Sequence, residues 1–405
     1  MARISLRSIY PIEAGSLISL LIFIGLVINA VLHGSDFHVF YKTALRLLDG
    51  AAVYVAKDDS DPFKYNPAWA YIFSGFGYLP EKVALSLFTV LQLSCWLYGA
   101  KVFADWLRYD LYNHRNLLLM LLLSLNALSA ETGFGQINGF LFAGTVTIVK
   151  WLEQENAPVR AGLLMSLLIS LKLNFALLIF LGIFHNWRFI NGLLLGGLLL
   201  HSIVAVSESD WTGYASYQAW LNLLFSQSST QYFTYETQGF YRFFYSLWGT
   251  VGAIWGWVAH LLFYLSLGLY IHVKKVSQGQ PGALAAYWLA GVFLFSPLAW
   301  WYQVLFMFPM AFCVLRCRLN IIEAVVIRLC LLGFALASFS VIGPRSIMEF
   351  KIQQGFFFGS LCILVIFLKR LFYNQDFKAP VAMDNSSLLN LNFTRLQMVE
   401  RRTNF

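Results

Sequence analysis

Two charged side chains stand out because of their position beside apolar sequence. Asp36 directly follows the first long apolar run, and Lys172 interrupts a later one. A carboxylate could act there as a general base toward a hydroxyl group, and a compact ammonium group could bind a phosphate. Each residue also has a structural explanation: Asp36 could cap a helix, and Lys172 could extend its ammonium group to a membrane surface. The two residues by themselves leave both interpretations open.

A turn rich in polar side chains joins two further apolar runs, and it carries Glu131, Gln136 and Asn138. Such groups could hydrogen-bond the hydroxyls of a sugar, although a plain helix connector explains them equally well. Arg242 is a second cation on the face predicted for Lys172. Together the two cations could hold a lipid phosphate or pyrophosphate.

Aromatic side chains gather in two of the polar connections. Tyr65 lies in the turn at 63–67, and Trp300 lies in the segment 296–303, which ends at Gln303. Stacking on a sugar or an isoprenoid would use these rings, and an aromatic belt at a membrane surface would explain them without any chemistry. Proline follows serine at 296–297, which predicts that a new helix begins there.

The composition determines which kind of protein positions these residues. Of the 405 residues, 59% are apolar and only 12% are charged, about half the roughly 25% typical of a soluble domain. The mean hydropathy is +0.65. These values exclude a soluble globular enzyme, a disordered chain and a small disulfide-rich module. The net charge of +8 indicates no nucleic-acid partner, because no basic stripe alternates with aromatic residues.

The apolar runs predict an all-α membrane protein that crosses the bilayer ten to thirteen times. The long polar connections are 33–81 and 207–249, and the segment 37–48 has the periodicity of an amphipathic helix lying on the membrane. We expect one transmembrane domain over 1–374 and a flexible cytoplasmic tail over 375–405. The predicted spans are 14–32, 82–103, 116–130, 137–151, 161–171, 174–186, 188–206, 250–273, 282–295, 299–316, 320–341 and 355–371.

The distribution of charge predicts the orientation. If the N-terminus is inside, 18 of the Lys and Arg residues lie at inner ends and nine at outer ends, while 11 of the 20 acids lie outside. The excess of basic residues places both termini in the cytoplasm of a multi-pass protein of the cell membrane. The long polar connections, and with them the residues singled out above, are then extracytoplasmic.

The order of these motifs resembles glycosyltransferase family 87, a group of GT-C type membrane enzymes that includes phosphatidylinositol-mannoside mannosyltransferases. The resemblance extends over roughly residues 15–320, with the motifs in the family's order. It rests on Ser35-Asp36-Phe37, Tyr41, Ala44, Gly50, Tyr54, Phe63-Lys64-Tyr65-Asn66-Pro67, Gly135-Gln136-Ile137-Asn138, Lys172 and the stretch from Ser296 to Trp300.

The resemblance implies the chemistry. Asp36 would be the general base on an acceptor hydroxyl, while a polyprenyl phosphate leaves the donor sugar and the anomeric centre is inverted. Lys172 and Arg242 would hold the donor phosphate. The family often has two histidines where this chain has Tyr302 and Gln303, so Gln303 could hydrogen-bond that phosphate but carries neither charge nor proton.

The remaining expectations concern the substrates. Glu131, Gln136, Asn138, Tyr65 and Trp300 are assigned to the sugar or acceptor. We expect transfer of a hexose, mannose first, to a lipid or glycan acceptor amid membrane lipids, with no metal and no cofactor. Two other functions stay open: a transporter or flippase of lipid-linked sugars, and a membrane polysaccharide polymerase or ligase. A transporter would place its ionisable residues near the midplane and often shows two related halves.

Overall fold

The computed structural model describes residues 14–374 apart from 56–61, 112, 209, 232–235, 275, 277–279, 298, 318 and 338. This part of the chain is α-helical, with one isolated antiparallel bridge between Thr237 and Trp300 and no strand. The tail predicted at 375–405 lies outside it. The helices are α1 Ala14–His33, α2 Ser35–Leu48, α3 Pro67–Phe73, α4 Glu81–Trp106, α5 His114–Phe134, α6 Asn138–Glu153, α7 Pro158–Leu171, α8 Ile179–His185, α9 Phe189–Glu208, α10 Tyr214–Gln231, α11 Phe240–Val273, α12 Pro281–Phe295, α13 Phe308–Leu315, α14 Ile321–Leu336, α15 Phe339–Ile352 and α16 Gly355–Lys369.

Length and composition identify the helices that can cross a membrane. Among the described residues six helices are long and apolar enough, namely α1, α4, α5, α9, α11 and α16. Four shorter apolar segments accompany them, at Pro158–Leu171, Leu173–His185, Pro281–Phe295 and Trp301–Leu315. Helices α6 and α14, of 16 residues each, are shorter than the six long ones. The predicted number of ten to thirteen crossings stays a prediction, whereas the all-α polytopic membrane fold is confirmed.

If successive predicted spans run in opposite directions, every second loop lies at the same end of the bundle. Polar contacts connect loops that this alternation assigns to the same end. We call the end with α2 and α3 the α2 end, and the other the opposite end. Two contacts join segments at the α2 end: Tyr71 to Glu208 at 2.8 Å and Lys351 to Glu236 at 2.8 Å. Two others join segments at the opposite end: His185 to Glu153 at 3.5 Å and Lys369 to Glu323 at 2.9 Å.

The first long connection contains a helix where the periodicity of 37–48 predicts one. Helix α2 is amphipathic and buries Phe37 and Phe40, which pack into a cluster of aromatic rings. The Tyr41 hydroxyl donates to the carbonyl of Leu79 at 2.8 Å. Gly50 follows the helix with φ of +70°, a left-handed conformation typical of helix C-termini. Helix α2 therefore holds its N-terminal turn, and Asp36 within it, at a fixed place.

The second part of this connection is tied to α7. Asn66 caps α3, since its side-chain oxygen accepts from the backbone N–H of Ala68 at 3.0 Å, and Pro67 occupies the first helical position. The Trp69 indole donates to the Ser170 hydroxyl at 2.8 Å. This places the turn carrying Tyr65 beside the end of α7.

The predicted break at Lys172 is present, because α7 ends at Leu171 and a 3₁₀ segment, Leu173–Leu178, follows. The predicted helix start at 296–297 is wrong. Helix α12 ends at Phe295, and the next turn is a 3₁₀ segment, Trp301–Met307. The backbone is extended at Ser296 and at Trp300. The connection also hydrogen-bonds residues 236–238: Gln238 N–H donates to the carbonyl of Ala299 at 2.6 Å, and Trp301 N–H donates to the carbonyl of Glu236 at 3.0 Å.

Candidate active site

The carboxylate of Asp36 lies against the turn between α5 and α6. The side-chain amide of Gln136 donates a hydrogen bond to its Oδ2 atom. The N-cap residue of α2 is Gly34, and no side chain caps that helix. The alternative in which Asp36 serves as a helix cap is therefore wrong, and Asp36 is instead directed at the polar turn.

A glycine allows this turn to approach α2 so closely. Gly135 has φ of +70°, and a Cβ atom on it would lie 2.7 Å from the Cβ of Phe37. Both the backbone conformation and the lack of space exclude a larger residue without strain. Gly135 thus sets the distance between Asp36 on α2 and Gln136 on the turn.

Glu131 is fully buried, and the protein supplies donors to both of its carboxylate oxygens. Its Oε1 accepts from the backbone N–H of Asn138 at 2.9 Å and from the side chain of Gln92 at 3.1 Å. Its Oε2 accepts from the Asn138 side chain at 2.7 Å. The carboxylate therefore sits at the N-terminus of α6, where a negative charge is favourable. Its predicted contact with sugar or acceptor stays a prediction.

Gln92 connects Glu131 to Gln136, the residue that binds Asp36. Besides Glu131, its amide donates to the backbone carbonyl of Gln136, and its oxygen accepts from the N–H of Phe140 at 3.1 Å. It lies in the apolar helix α4 and is 1% exposed. All of its side-chain groups are therefore used to hold the α5–α6 turn.

Lys172 closes the arrangement from the side of α7. Its Nζ donates to Oδ1 of Asn138 at 2.9 Å, and the charges of Glu131 and Asp36 both act on it. Its side chain thus points into the bundle and not along a membrane surface. Hydrogen bonds connect Asp36 to Lys172 through four intermediate residues, which we call the relay: Gln136, Gln92, Glu131 and Asn138.

Two tyrosine hydroxyls lie within electrostatic range of Asp36. Burial raises the pKa of Tyr65 well above its usual value, and the charges of Asp36 and Glu131 raise it further. The Tyr65 hydroxyl therefore remains protonated and can donate a hydrogen bond. Tyr302 is 3% exposed and interacts with the same two acids and with Tyr65. The site thus contains two phenolic donors beside its carboxylates.

Gln303 lies next to Tyr302 on the 3₁₀ segment that follows the extended connection. It is 1% exposed, and neither its amide nitrogen nor its amide oxygen has a hydrogen-bond partner among the described residues. Unsatisfied polar atoms of this kind are costly unless a ligand or solvent meets them. Trp300 is half-buried and its ring stacks on Tyr302, with centroids 6.4 Å apart. These two predicted residues thus flank the tyrosine.

Arg242 lies on the first turn of α11, with its guanidinium carbon 6.0 Å from the centre of the Tyr245 ring. In the described part of the chain it makes no hydrogen bond to the relay. A kink separates its helical turns from the rest of α11, because Gly249 has φ of +66° and ψ of −165°. Its assignment to the donor phosphate stays a prediction.

Sequence reasoning missed Gln92 as part of the site and did not assign Tyr302 a role. A glutamine inside the long apolar helix α4 was the available signal for the first. The signal for Tyr302 was its position directly before Gln303, where the resemblance leads one to expect two histidines. No group of three or more His, Cys, Asp or Glu side chains within the described residues is placed to hold a metal ion.

The bundle of long apolar helices defines a multi-pass membrane protein. The model of glycosyltransferase family 87 matches residues 63–297. This match covers more than half of the chain, which therefore belongs to that family and is a glycosyltransferase. The match contains the whole relay and Lys172, while Asp36 and Gln303 lie outside it. No curated protein and no solved structure matches the chain significantly.

Proposed function

We propose that the protein transfers one hexosyl unit from a polyprenyl-phosphate donor to a hydroxyl group of a lipid or glycan acceptor, with inversion at the anomeric carbon. The observation that carries the proposal is the relay, which fixes a carboxylate and an ammonium group relative to each other. A glycosyl transfer of this type needs both: a base for the acceptor proton and a cation for the phosphate that leaves.

Asp36 is the general base of the proposal. Its carboxylate takes the proton of the acceptor hydroxyl as the acceptor oxygen bonds to the anomeric carbon. The bond between that carbon and the phosphate oxygen breaks, and the electron pair leaves with the polyprenyl phosphate. Gln136 orients the carboxylate by donating to Oδ2. Holding the two substrates in line supplies much of the remaining reduction of the barrier.

Lys172 stabilises the phosphate that leaves. A lysine ammonium has three donors, and Asn138 occupies one of them. The buried amide of Gln303 is a second donor, and it lies where the family often has histidine. Arg242 would join only if the first turns of α11 move toward Lys172, and the kink at Gly249 marks where such a movement would occur.

The sugar and acceptor would contact the aromatic side of the site. Tyr65 provides a hydroxyl donor and Trp300 a ring face of the kind that sugars stack on. Gln136, Asn138 and Glu131 act mainly through the relay, because their side chains already bind protein groups. Mannose is the first sugar to test, from the resemblance to mannosyltransferases alone.

The proposed side of the membrane is the extracytoplasmic one, with both termini in the cytoplasm of a cell-membrane protein. It rests on the excess of basic residues at the opposite end. Polyprenyl-phosphate sugars would reach the α2 end from within the bilayer.

The experiment is an assay of the purified protein with a panel of polyprenyl-phosphate sugars, including mannose and glucose donors, in the presence of a lipid and glycan extract that supplies acceptor hydroxyls. The proposal predicts release of free polyprenyl phosphate with one sugar, in step with loss of the donor. Nucleotide sugars tested in parallel should give no transfer. Transfer from a nucleotide sugar with all lipid donors inert would contradict the donor class.

A further inference from the structure

An apolar cavity of about 390 Å³ lies between α1, α4, α5 and α13. Ligand pockets commonly measure about 300–1,000 Å³, so this volume suits a ligand rather than a few water molecules. Its upper part is lined by Leu93 and Leu128, which lie within one helical turn of Gln92 and Glu131. From there it extends toward the opposite end.

The wall of this cavity is mainly apolar, and its few polar groups include the buried indole N–H of Trp96, which has no partner among the described residues. The hydroxyls of Ser19 and Ser124 line it, and each already donates to a carbonyl of its own helix, at 2.8 and 2.7 Å. The remaining wall is mainly Leu, Phe, Ala and Met. Such a surface matches a hydrocarbon chain and no polar ligand.

The cavity has a cationic mouth. Arg316 follows the C-terminus of α13 and is the one charged side chain among the described lining residues. Arg108, which is exposed, follows the C-terminus of α4 with φ of +52°. Leu107 and Tyr109, on either side of Arg108 in the chain, line the same cavity as Arg316. Burial lowers the pKa of Arg316, and the charge of Arg108, which has the same sign, lowers it further.

The other described groups whose charge affects the pKa of Arg316 are Tyr109 and Cys317, and neither carries a carboxylate. Helix C-termini favour cations, which explains why one arginine follows the C-terminus of α4 and another follows that of α13. It does not explain why both stand at the mouth of an apolar cavity. A phosphate would relieve their repulsion, and a phosphate attached to a hydrocarbon chain would also fill the space behind them.

We propose that this cavity binds one acyl chain of an anionic phospholipid from the leaflet at the opposite end, with the lipid phosphate held by Arg316 and Arg108. The proposal is independent of the transfer reaction. Gln92 and Trp106 are separated by fourteen residues of α4, which is roughly 20 Å at 1.5 Å per residue. A phosphate bound by these arginines is therefore too far from Asp36 to be that of the sugar donor.

The test is native mass spectrometry of the full-length protein, delipidated in detergent and titrated with phosphatidylglycerol or with phosphatidylcholine carrying the same acyl chains. We expect phosphatidylglycerol to bind more tightly. Arg316→Gln and Arg108→Gln should each weaken it about fivefold, the effect expected of one cation near an anionic lipid. Binding of phosphatidylcholine should not change. Arg160→Gln is the matched control, because it removes an exposed cation at the same end away from the cavity.

A third variant separates the chain from the headgroup. Ala100→Phe places a ring inside the cavity and should weaken both lipids while leaving the preference for phosphatidylglycerol. If it does not fold, the two arginine variants still decide the headgroup. Equal affinity for the two lipids, or unchanged binding after Arg316→Gln, would overturn the proposal. A competition experiment gives a further contradicting outcome. If polyprenyl phosphate displaced phosphatidylglycerol, and this displacement were lost in Arg316→Gln, the cavity would bind the donor lipid and the proposal would be overturned.

Discussion

Lys172 donates a 2.9 Å hydrogen bond to Oδ1 of Asn138, 34 residues earlier in the chain. The same asparagine donates to Glu131, so an ammonium and a buried carboxylate share one amide between them. This geometry fixes the lysine at a helix break inside the bundle. Snorkelling toward the membrane surface, the alternative interpretation from the sequence, does not describe its position.

The first prediction concerns this ammonium group. Lys172→Met keeps the length and the apolar stem and removes the charge, so binding and departure of the donor phosphate should suffer. A charge-assisted hydrogen bond contributes about 1.5–3 kcal/mol, which corresponds to a loss of about 10- to 150-fold in kcat/KM for the donor. Donor-titrated and acceptor-titrated kinetics measure the effect. Lys82→Met, which removes an exposed cation at the same end, is the control, and an unchanged donor dependence of Lys172→Met would exclude Lys172 from the site.

The second prediction concerns Gln92, which positions the α5–α6 turn without contacting substrate. Gln92→Leu leaves Glu131 with one donor fewer and the N–H of Phe140 without its acceptor. Each unsatisfied group costs about 1–3 kcal/mol, so the thermal midpoint should fall. Misplacement of the relay should lower kcat about 10- to 100-fold, with little change in KM.

A neighbouring residue provides the control for Gln92. Thr89 lies one turn earlier on α4, and its buried hydroxyl has no partner among the described residues. Thr89→Val removes this hydroxyl and should leave the thermal midpoint equal or higher and kcat unchanged. If Gln92→Leu behaved in the same way, the relay would have no role in positioning Asp36 and Lys172.

The third prediction concerns the turn that brings Asp36 and Gln136 together. Gly135→Ala forces an L side chain into a left-handed conformation and places its Cβ 2.7 Å from that of Phe37. Such strain costs about 1–3 kcal/mol, and relief of the clash moves Gln136 away from Asp36, so transfer should slow as well. Gly25→Ala in α1, where no atom lies within 4 Å of the added methyl group, should change neither the thermal midpoint nor transfer. Wild-type transfer by Gly135→Ala would show that this close approach is not needed.

The fourth prediction concerns orientation. Ala51 is exposed at the α2 end, and Gln154 is exposed at the opposite end. In intact cells an impermeant thiol reagent should label Ala51→Cys and leave Gln154→Cys unlabelled until the membrane is permeabilised. The parent protein, with its five native cysteines, measures the background. The reverse pattern would place the site on the cytoplasmic face.

Hydrophobicity made most of the scaffold predictable. Apolar runs became helices because backbone groups within a bilayer must bond to each other. The periodicity of 37–48 predicted α2, and Lys172 marked a true break. The helix start predicted near Ser296 is wrong because backbone groups of Ala299 and Trp301 hydrogen-bond residues 236–238, which are distant in sequence. A local sequence pattern does not indicate such partners.

The site was predictable in its residue types and less so in its connections. Asp36, Gln136, Asn138 and Lys172 were singled out, and they do come together. Gln92 was not, because one polar residue within an apolar helix indicates nothing until its partners are known. Glu131 and Asn138 were assigned to substrate by type alone, whereas the structure shows their side chains bonded within the protein. Which side chains bond to each other depends on the tertiary structure, and the residue types in the sequence do not determine it.

The most direct test of the central claim is single-turnover transfer by Asp36→Asn. The amide keeps the shape and can still accept from Gln136, but it cannot take a proton from the acceptor. With the donor identified by the panel, we expect donor binding and the thermal midpoint close to wild type and a transfer rate lower by about 10²- to 10⁴-fold, the usual contribution of a general base. Transfer by Asp36→Asn at the wild-type rate would contradict the account, because Asp36 would then have no part in the chemistry.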